Sequence, residues 1–96
     1  MKTNALAAVR ATVFGNVQGV FFRAFATRKA KELGIKGYVR NQRAGDSVEV
    51  VAEGERERLR ELISHLMVGP AGAKVTKVDT NWTMPSGRFT DFSVRY

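Results

Sequence analysis

One stretch concentrates residues able to do chemistry: Gly15-Asn16-Val17-Gln18-Gly19-Val20-Phe21-Phe22-Arg23. It follows an alternating apolar segment and leads into an amphipathic one, so it reads as strand, tight loop and helix. Two glycines bracket a turn in which the backbone bends without a Cβ penalty. Consecutive amide N–H groups can then converge on one point, which suits an anion. No Ser, Thr, Asp or Asn immediately precedes the first apolar residues of the helix, so its N-terminal donors lack a capping side chain. Such donors and the helix dipole attract phosphate, and Arg23, in the first turn, adds a guanidinium able to grip two phosphate oxygens. The competing reading is an ordinary strand-to-helix connection, with Arg23 paired to a surface acid. The loop lacks the Gly-Lys-Ser/Thr ending of a P-loop and the third glycine of a dinucleotide turn, so no nucleotide is implied.

Composition narrows the chemistry by what it lacks. Without cysteine there is no disulfide, thiolate nucleophile or Cys-based metal site, and one histidine cannot build a metal cluster alone. Ninety-six residues at 44% hydrophobic content fit a single domain, 1–96, with one core between a sheet and one layer of helices. No run approaches a membrane span, and Met1 to Arg10 holds too short an apolar region for a secretory signal, so a cytoplasmic location is expected. A net charge of +7 and a pI near 10.4 favour anionic partners. Nucleic acid and small phosphorylated molecules both qualify, and the charge could equally serve only solubility.

The elements that must position the loop follow from periodicity. Residues 7–14 alternate, with Val9, Ala11 and Val13 on one face and Arg10 and Thr12 on the other, which predicts a first strand. From Phe22 a helical stripe runs through Phe25, Ala26, Ala30 and Leu33, with Gly34 at its C-cap. Ile35 and Val39 give a second strand up to about Asn41, and Gln42 to Asp46 a hairpin loop. Val48, Val50 and Ala52 continue as a third strand. Gly54 is expected to open a second helix, with Glu53 and Glu55 at its acidic start, Leu59, Leu62, Ile63, Leu66 and Met67 as its stripe, and Gly69-Pro70 as its end. Val75 to Trp82 breaks strict alternation and suggests a bulge or a boundary shifted by one residue. Phe92, Val94 and Tyr96 alternate in a last strand.

This order is that of the α+β, ferredoxin-like (split β-α-β) fold: a mainly antiparallel sheet with two helices on one face. A right-handed crossover makes strands one and two parallel, with strand three between them. Their C-terminal ends share an edge, so Asn41 should lie within about 10 Å of the glycine-bracketed loop, two strand spacings away.

Gly15-x-Val17-Gln18-Gly19-Val20-x-Phe22-Arg23, with Gly37-Tyr38-Val39-Arg40-Asn41 downstream and a later Gly54, resembles the acylphosphatase family. The resemblance is dense over residues 13–54 and extends to Gly69-Pro70 and the C-terminal strand. It implies that Arg23 is the phosphate-binding catalytic arginine, Asn41 the water-orienting asparagine, and the backbone of Asn16, Val17, Gln18, Gly19 and Val20 the phosphate cradle. Two features depart from the family pattern: the hairpin is one residue longer after Gly45, and position 16 is Asn where a basic residue is common.

The implied chemistry is hydrolysis of a small acyl phosphate to a carboxylate and inorganic phosphate. The leaving carboxylate, with a pKa of about 4, departs without a proton, so no general acid is required. Positioning and charge stabilisation carry the reaction. No cofactor and no metal are expected, the chain should act as a monomer on small molecules, and phosphate or sulfate should bind as product or inhibitor. No membrane and no specific nucleic acid are expected as partners. An RNA-recognition module shares the element order but stacks bases on exposed aromatics of central strands. Strands one and three offer Arg10, Thr12, Glu49 and Val51 on the expected open face, with no aromatic expected there. A regulatory domain of the same fold has no mark in the sequence. His65, on the second helix, reads as a solvated position, and Phe21, Phe22 and Phe25 as core or wall.

Overall fold

The computed structural model describes residues 5–43 and 47–96. In chain order it has β1 (Leu6–Asn16), α1 (Phe22–Glu32), β2 (Lys36–Asn41), β3 (Ser47–Glu55), α2 (Arg56–Val68), β4 (Lys74–Thr83) and β5 (Phe92–Arg95). The strands form one sheet in the order β4-β1-β3-β2-β5. Every neighbouring pair is antiparallel except β2 with β5. β1 and β2 therefore run parallel with β3 between them, and the fold is the expected ferredoxin-like α+β arrangement. The hairpin loop expected over residues 42–46 falls partly outside the described residues, as does the extra residue after Gly45.

The two-residue period puts Val9, Ala11 and Val13 of β1, Val39 of β2, and Val48, Val50 and Ala52 of β3 into one buried cluster with the helices. Phe22, Ala26 and Ala30 of α1 and Leu59, Leu62 and Leu66 of α2 close it from above. Each fully buried leucine or phenylalanine contributes about 1.5–3 kcal/mol. The small Ala26 and Ala30 let α1 approach the sheet closely, which sets the position of its N-terminus at the end of β1. Phe92 of β5 completes the cluster beside β2.

Several boundaries differ from the sequence expectation. Gly54 does not open α2: it extends β3 by pairing with Ala7, and Glu55 pairs with Leu6. The helix begins at Arg56, whose N–H donates to the Ala5 carbonyl at 2.9 Å. Cross-strand hydrogen bonding to the start of β1 thus overrides the turn signal of a glycine. Glu57, rather than Glu53, is the acidic residue of the first turn. Met67 belongs to the helical stripe in sequence but is 59% exposed, because at the helical period it falls on the flank of the face that Leu59, Leu62 and Leu66 bury. The irregularity in β4 is a bulge: Phe14 pairs with Lys77 and Gly15 with Val75, leaving Thr76 unpaired and both Val75 and Val78 half-buried against the core.

The second sheet face is less open than expected. β4 and β5 occupy opposite edges, so residues 84–91 must cross this face to join them. Glu53 pins the crossing: its carboxylate accepts from the Ser86 N–H (2.9 Å), the Ser86 hydroxyl (2.7 Å) and the Gly87 N–H (3.0 Å). Burial works to raise the Glu53 pKa, but these hydrogen bonds and the charge of Arg88 outweigh it and hold the carboxyl below its ordinary value. Glu49, expected on an open face, is 2% exposed. Arg10 and Arg40 cover it, with Nε atoms 2.5 and 2.6 Å from its two oxygens. The hydrogen bond and charge of Glu49 raise the Arg40 pKa further above neutrality. β1 does carry an aromatic at a position on this face, Phe14, with the Lys77 ammonium 4.8 Å from its ring centre.

Candidate functional site

The site is built where β1 and β2 end. Gly15 must be glycine: its φ is +127°, and a Cβ there would stand 2.0 Å from the Lys74 carbonyl oxygen of β4. This close approach sits at the bulge against β4, where β1 has already left its pairing with β3. Asn16 is the last paired residue of β1, opposite Lys74. Val17 is 1% exposed and anchors the loop in the core, and its N–H donates to the Gly15 carbonyl at 3.0 Å. That amide is therefore already engaged. Among the described residues no backbone carbonyl accepts from the amides of Gln18, Gly19 or Val20. Gly19 takes a positive φ of +75°, which keeps the turn tight.

Phe21 caps α1 in the left-handed region, with φ +60° and ψ +26°, and no side chain bonds the helix N-terminus. Such a conformation costs about 1–3 kcal/mol for a residue other than glycine. The Phe21 ring, 85% exposed, recovers little of that by burial. With no capping side chain, the positive end of the helix dipole is left open beside the loop.

Arg23 sits one residue into α1. Among the described residues no Asp or Glu pairs with it, and its guanidinium carbon lies 4.9 Å from the ring centre of Tyr96. The reading of Arg23 as half of a surface ion pair therefore has no partner here. Asn41 ends β2, paired with Val48. A pocket of about 320 Å³ gathers Val17, Gly19, Phe21, Arg23, Asn41 and Tyr96 on its wall. The structure thus brings Arg23 and Asn41 together, as topology required, although β3 separates β2, which ends at Asn41, from β1, which leads into the loop before Arg23. Asn16, Gln18 and Val20 do not line this pocket; Val20 leans on the core instead.

Two features of the site escaped the sequence reading. Tyr96 looked like the last inward residue of a strand, but β5 ends at Arg95 and Tyr96 is fully exposed beside Arg23. The signal was available only through pairing: β5 runs parallel to β2 with Arg95 opposite Arg40, which carries the next residue towards Asn41. The Gln18 side chain was also missed: its amide nitrogen donates to the carbonyls of Gln42 and Ser47 at 3.0 and 2.8 Å.

A larger cavity, about 490 Å³, lies at the opposite end of the strands, between Leu6, Leu33, Gly54 and Phe89. Lys36 and Arg58 on its wall are matched by Glu53 and Glu55, so it has no net preference for an anion. Among the described residues no three His, Cys, Asp or Glu side chains cluster to hold a metal ion. No helix among them is long and apolar enough to cross a membrane.

Comparison with known proteins identifies the family and the fold. The acylphosphatase family model matches residues 9–94. An acylphosphatase of Pasteurella multocida is 50% identical over 84 residues, covering 88% of this chain and 92% of its own. Among solved structures, an acylphosphatase from Coxiella burnetii superposes with a TM-score of 0.88 at 39% identity, covering 94% of this chain and 93% of its own. One from Bacillus subtilis gives 0.90 at 32% identity, covering 96% of this chain and all of its own. A match across nearly the whole chain, including the loop and both strand ends that form the pocket, places this hydrolase in the acylphosphatase family.

Proposed function

We propose that the chain hydrolyses small acyl phosphates to a carboxylate and inorganic phosphate, with Arg23 and the Asn16–Val20 loop holding the phosphoryl group and Asn41 orienting the water. The observation that carries this reading is the shared pocket: a guanidinium with no carboxylate partner among the described residues, an uncapped helix N-terminus and a carboxamide converge there. Each has a part in the chemistry. The guanidinium spans two phosphoryl oxygens with parallel N–H bonds and neutralises charge that spreads over them in a loose transition state. The amides of Gln18, Gly19 and Val20, with those opening α1, supply donors fixed before the substrate arrives. Val17 serves as the buried anchor of that loop, since its own N–H is taken by Gly15.

Asn41 places the nucleophile. A neutral carboxamide is a poor base, but it can accept one hydrogen bond from the water and hold its lone pair in line with the P–O bond that breaks. The carboxylate leaves as an anion, so no acid need protonate it, and the water's proton passes to a phosphoryl oxygen of the substrate. Since Arg23 and the amides supply the charge, catalysis needs neither metal nor cofactor. The whole chain acts as one domain and as a monomer in the cytoplasm, with phosphate or sulfate competing as product or inhibitor.

The test is release of phosphate from a small aroyl phosphate by the purified chain, with and without EDTA. Turnover undiminished by chelator is the expected result; absence of turnover, or dependence on added metal, overturns the proposal. Single-stranded RNA should bind weakly and dissociate steeply with salt, since on the second sheet face Phe14 of β1 already stacks with the Lys77 ammonium and Tyr38 of β2 with Phe89 and Arg95.

A further inference from the structure

The phosphate loop and Asn41 hang from strands that are not neighbours. β3 lies between β1 and β2, so the ladder holds each end against β3 and neither against the other. Their separation decides whether a water held by Asn41 stands in line with a phosphoryl group held by the loop. Among the described residues the side-chain hydrogen bonds that join the two segments come from Gln18, whose Nε2 donates to the Gln42 carbonyl at 3.0 Å and the Ser47 carbonyl at 2.8 Å.

The geometry leaves little choice of role for that side chain. Both partners are carbonyls, which only accept, so the group facing them must be the amide NH2, and two bonds use both of its hydrogens. No side-chain donor remains for a phosphate. Gln42 and Ser47 are themselves tied: the Gln42 N–H donates to the Ser47 carbonyl at 3.0 Å, and the Ser47 hydroxyl donates to Gln42 Oε1 at 2.6 Å. Ser47 is 3% exposed, so this closure is shielded from water. Gln18 therefore reaches from the middle of the loop to a rigid pair beginning one residue after Asn41.

We infer that Gln18 is a positioning residue: its carboxamide sets the distance between phosphate loop and Asn41, and so the alignment of water and phosphoryl group. This rests on the function proposed above. Misplacement by about 1 Å can cost about 100-fold in rate, so loss of the tether should slow turnover while leaving the loop able to hold phosphate.

Gln18→Met keeps length and removes both donors. Gln18→Asn keeps the carboxamide but shortens its reach by about 1.5 Å, one C–C bond. Each is to be assayed with a small aroyl phosphate, alone and combined with Asn41→Ala, with inorganic phosphate as competitive inhibitor. The tether predicts a kcat lower by about 10- to 100-fold and an inhibition constant for phosphate changed less than about threefold. In the Asn41→Ala background the same substitution should cost less than about threefold, because the water it aligned is no longer held. A role in stability alone would give equal losses in both backgrounds. Equal losses, or a kcat within threefold of the unaltered chain, would overturn the inference. Gln18→Asn, the milder change, serves if Gln18→Met does not fold. An unaltered chain without turnover overturns the proposed function, and the tether with it; turnover with an uncoupled Gln18 overturns the tether alone.

Discussion

Substituting Lys for Arg23 keeps one positive charge at the pocket and removes the planar fork that two phosphoryl oxygens can share. An ammonium is a point charge on a flexible stem, so at best one of the two bonds is regained. Loss of one preorganised donor to developing charge costs about 2.7–4 kcal/mol, or 10²–10³ in kcat. Arg23→Lys should therefore turn over about 100-fold more slowly or worse, and Arg23→Ala, which also loses the charge, about 1000-fold or worse. Stability should change little. Arg23 has no Asp or Glu partner among the described residues and stacks only on the fully exposed Tyr96, a contact of about 0.5–1 kcal/mol. For a chain of this size that is a melting temperature lower by no more than about 8 °C. The assay pairs continuous hydrolysis of a small aroyl phosphate with melting in the presence and absence of inorganic phosphate. Phosphate at 100 times its dissociation constant should stabilise the unaltered chain by about 2.7 kcal/mol, and Arg23→Ala should lose most of that shift. Near-normal turnover in Arg23→Lys would falsify the fork argument. A large fall in melting temperature without phosphate would make Arg23 a structural residue instead.

Asn41→Ala should lower kcat by about 100-fold with phosphate inhibition nearly unchanged; parallel loss of both would reassign Asn41 to phosphate binding. Gly15→Ala should destabilise by about 3 kcal/mol or more, because its Cβ would meet the Lys74 carbonyl at 2.0 Å with φ at +127°; a melting temperature within a few degrees of the original would contradict that packing. Glu53 has a folded pKa below its ordinary 4.5, so its contribution is present above 4.5 and is lost as pH falls through the lower folded value. Glu53→Gln should remove part of the acid sensitivity in urea titrations at pH 3 to 7, and an unchanged pH profile would show that the Ser86 and Gly87 hydrogen bonds contribute nothing to it. Chelation should leave hydrolysis intact, and restoration of a lost rate by added divalent metal would count against charge compensation by Arg23 and the amides.

Much of the fold was legible because it rests on local rules. Val9, Ala11 and Val13 alternate whatever lies across from them, and the Leu59, Leu62, Leu66 stripe names its own buried face. Handedness of the crossover then sufficed to bring Asn41 to the loop beside Arg23, a pairing no spacing in the chain states. Glycine was a less sufficient guide. Gly54 looked like a helix opening and is a strand residue, because its conformation is decided by Ala7 across the ladder. Gly15 looked like a turn residue and is also a contact, since the space for its Cβ is filled by β4. Only the assembled sheet could decide such matters: the partner of Gly54 is Ala7 and the atom facing Gly15 belongs to Lys74, both far away in the chain. The same holds for the burial of Glu49 between two arginines, for Tyr96 beside Arg23, and for Gln18 reaching the carbonyls of Gln42 and Ser47. Residue type and period determine which face of an element is buried. What a polar side chain bonds to depends on the one or two atoms that register, bulge and crossover bring within 3 Å, and those are properties of the whole fold.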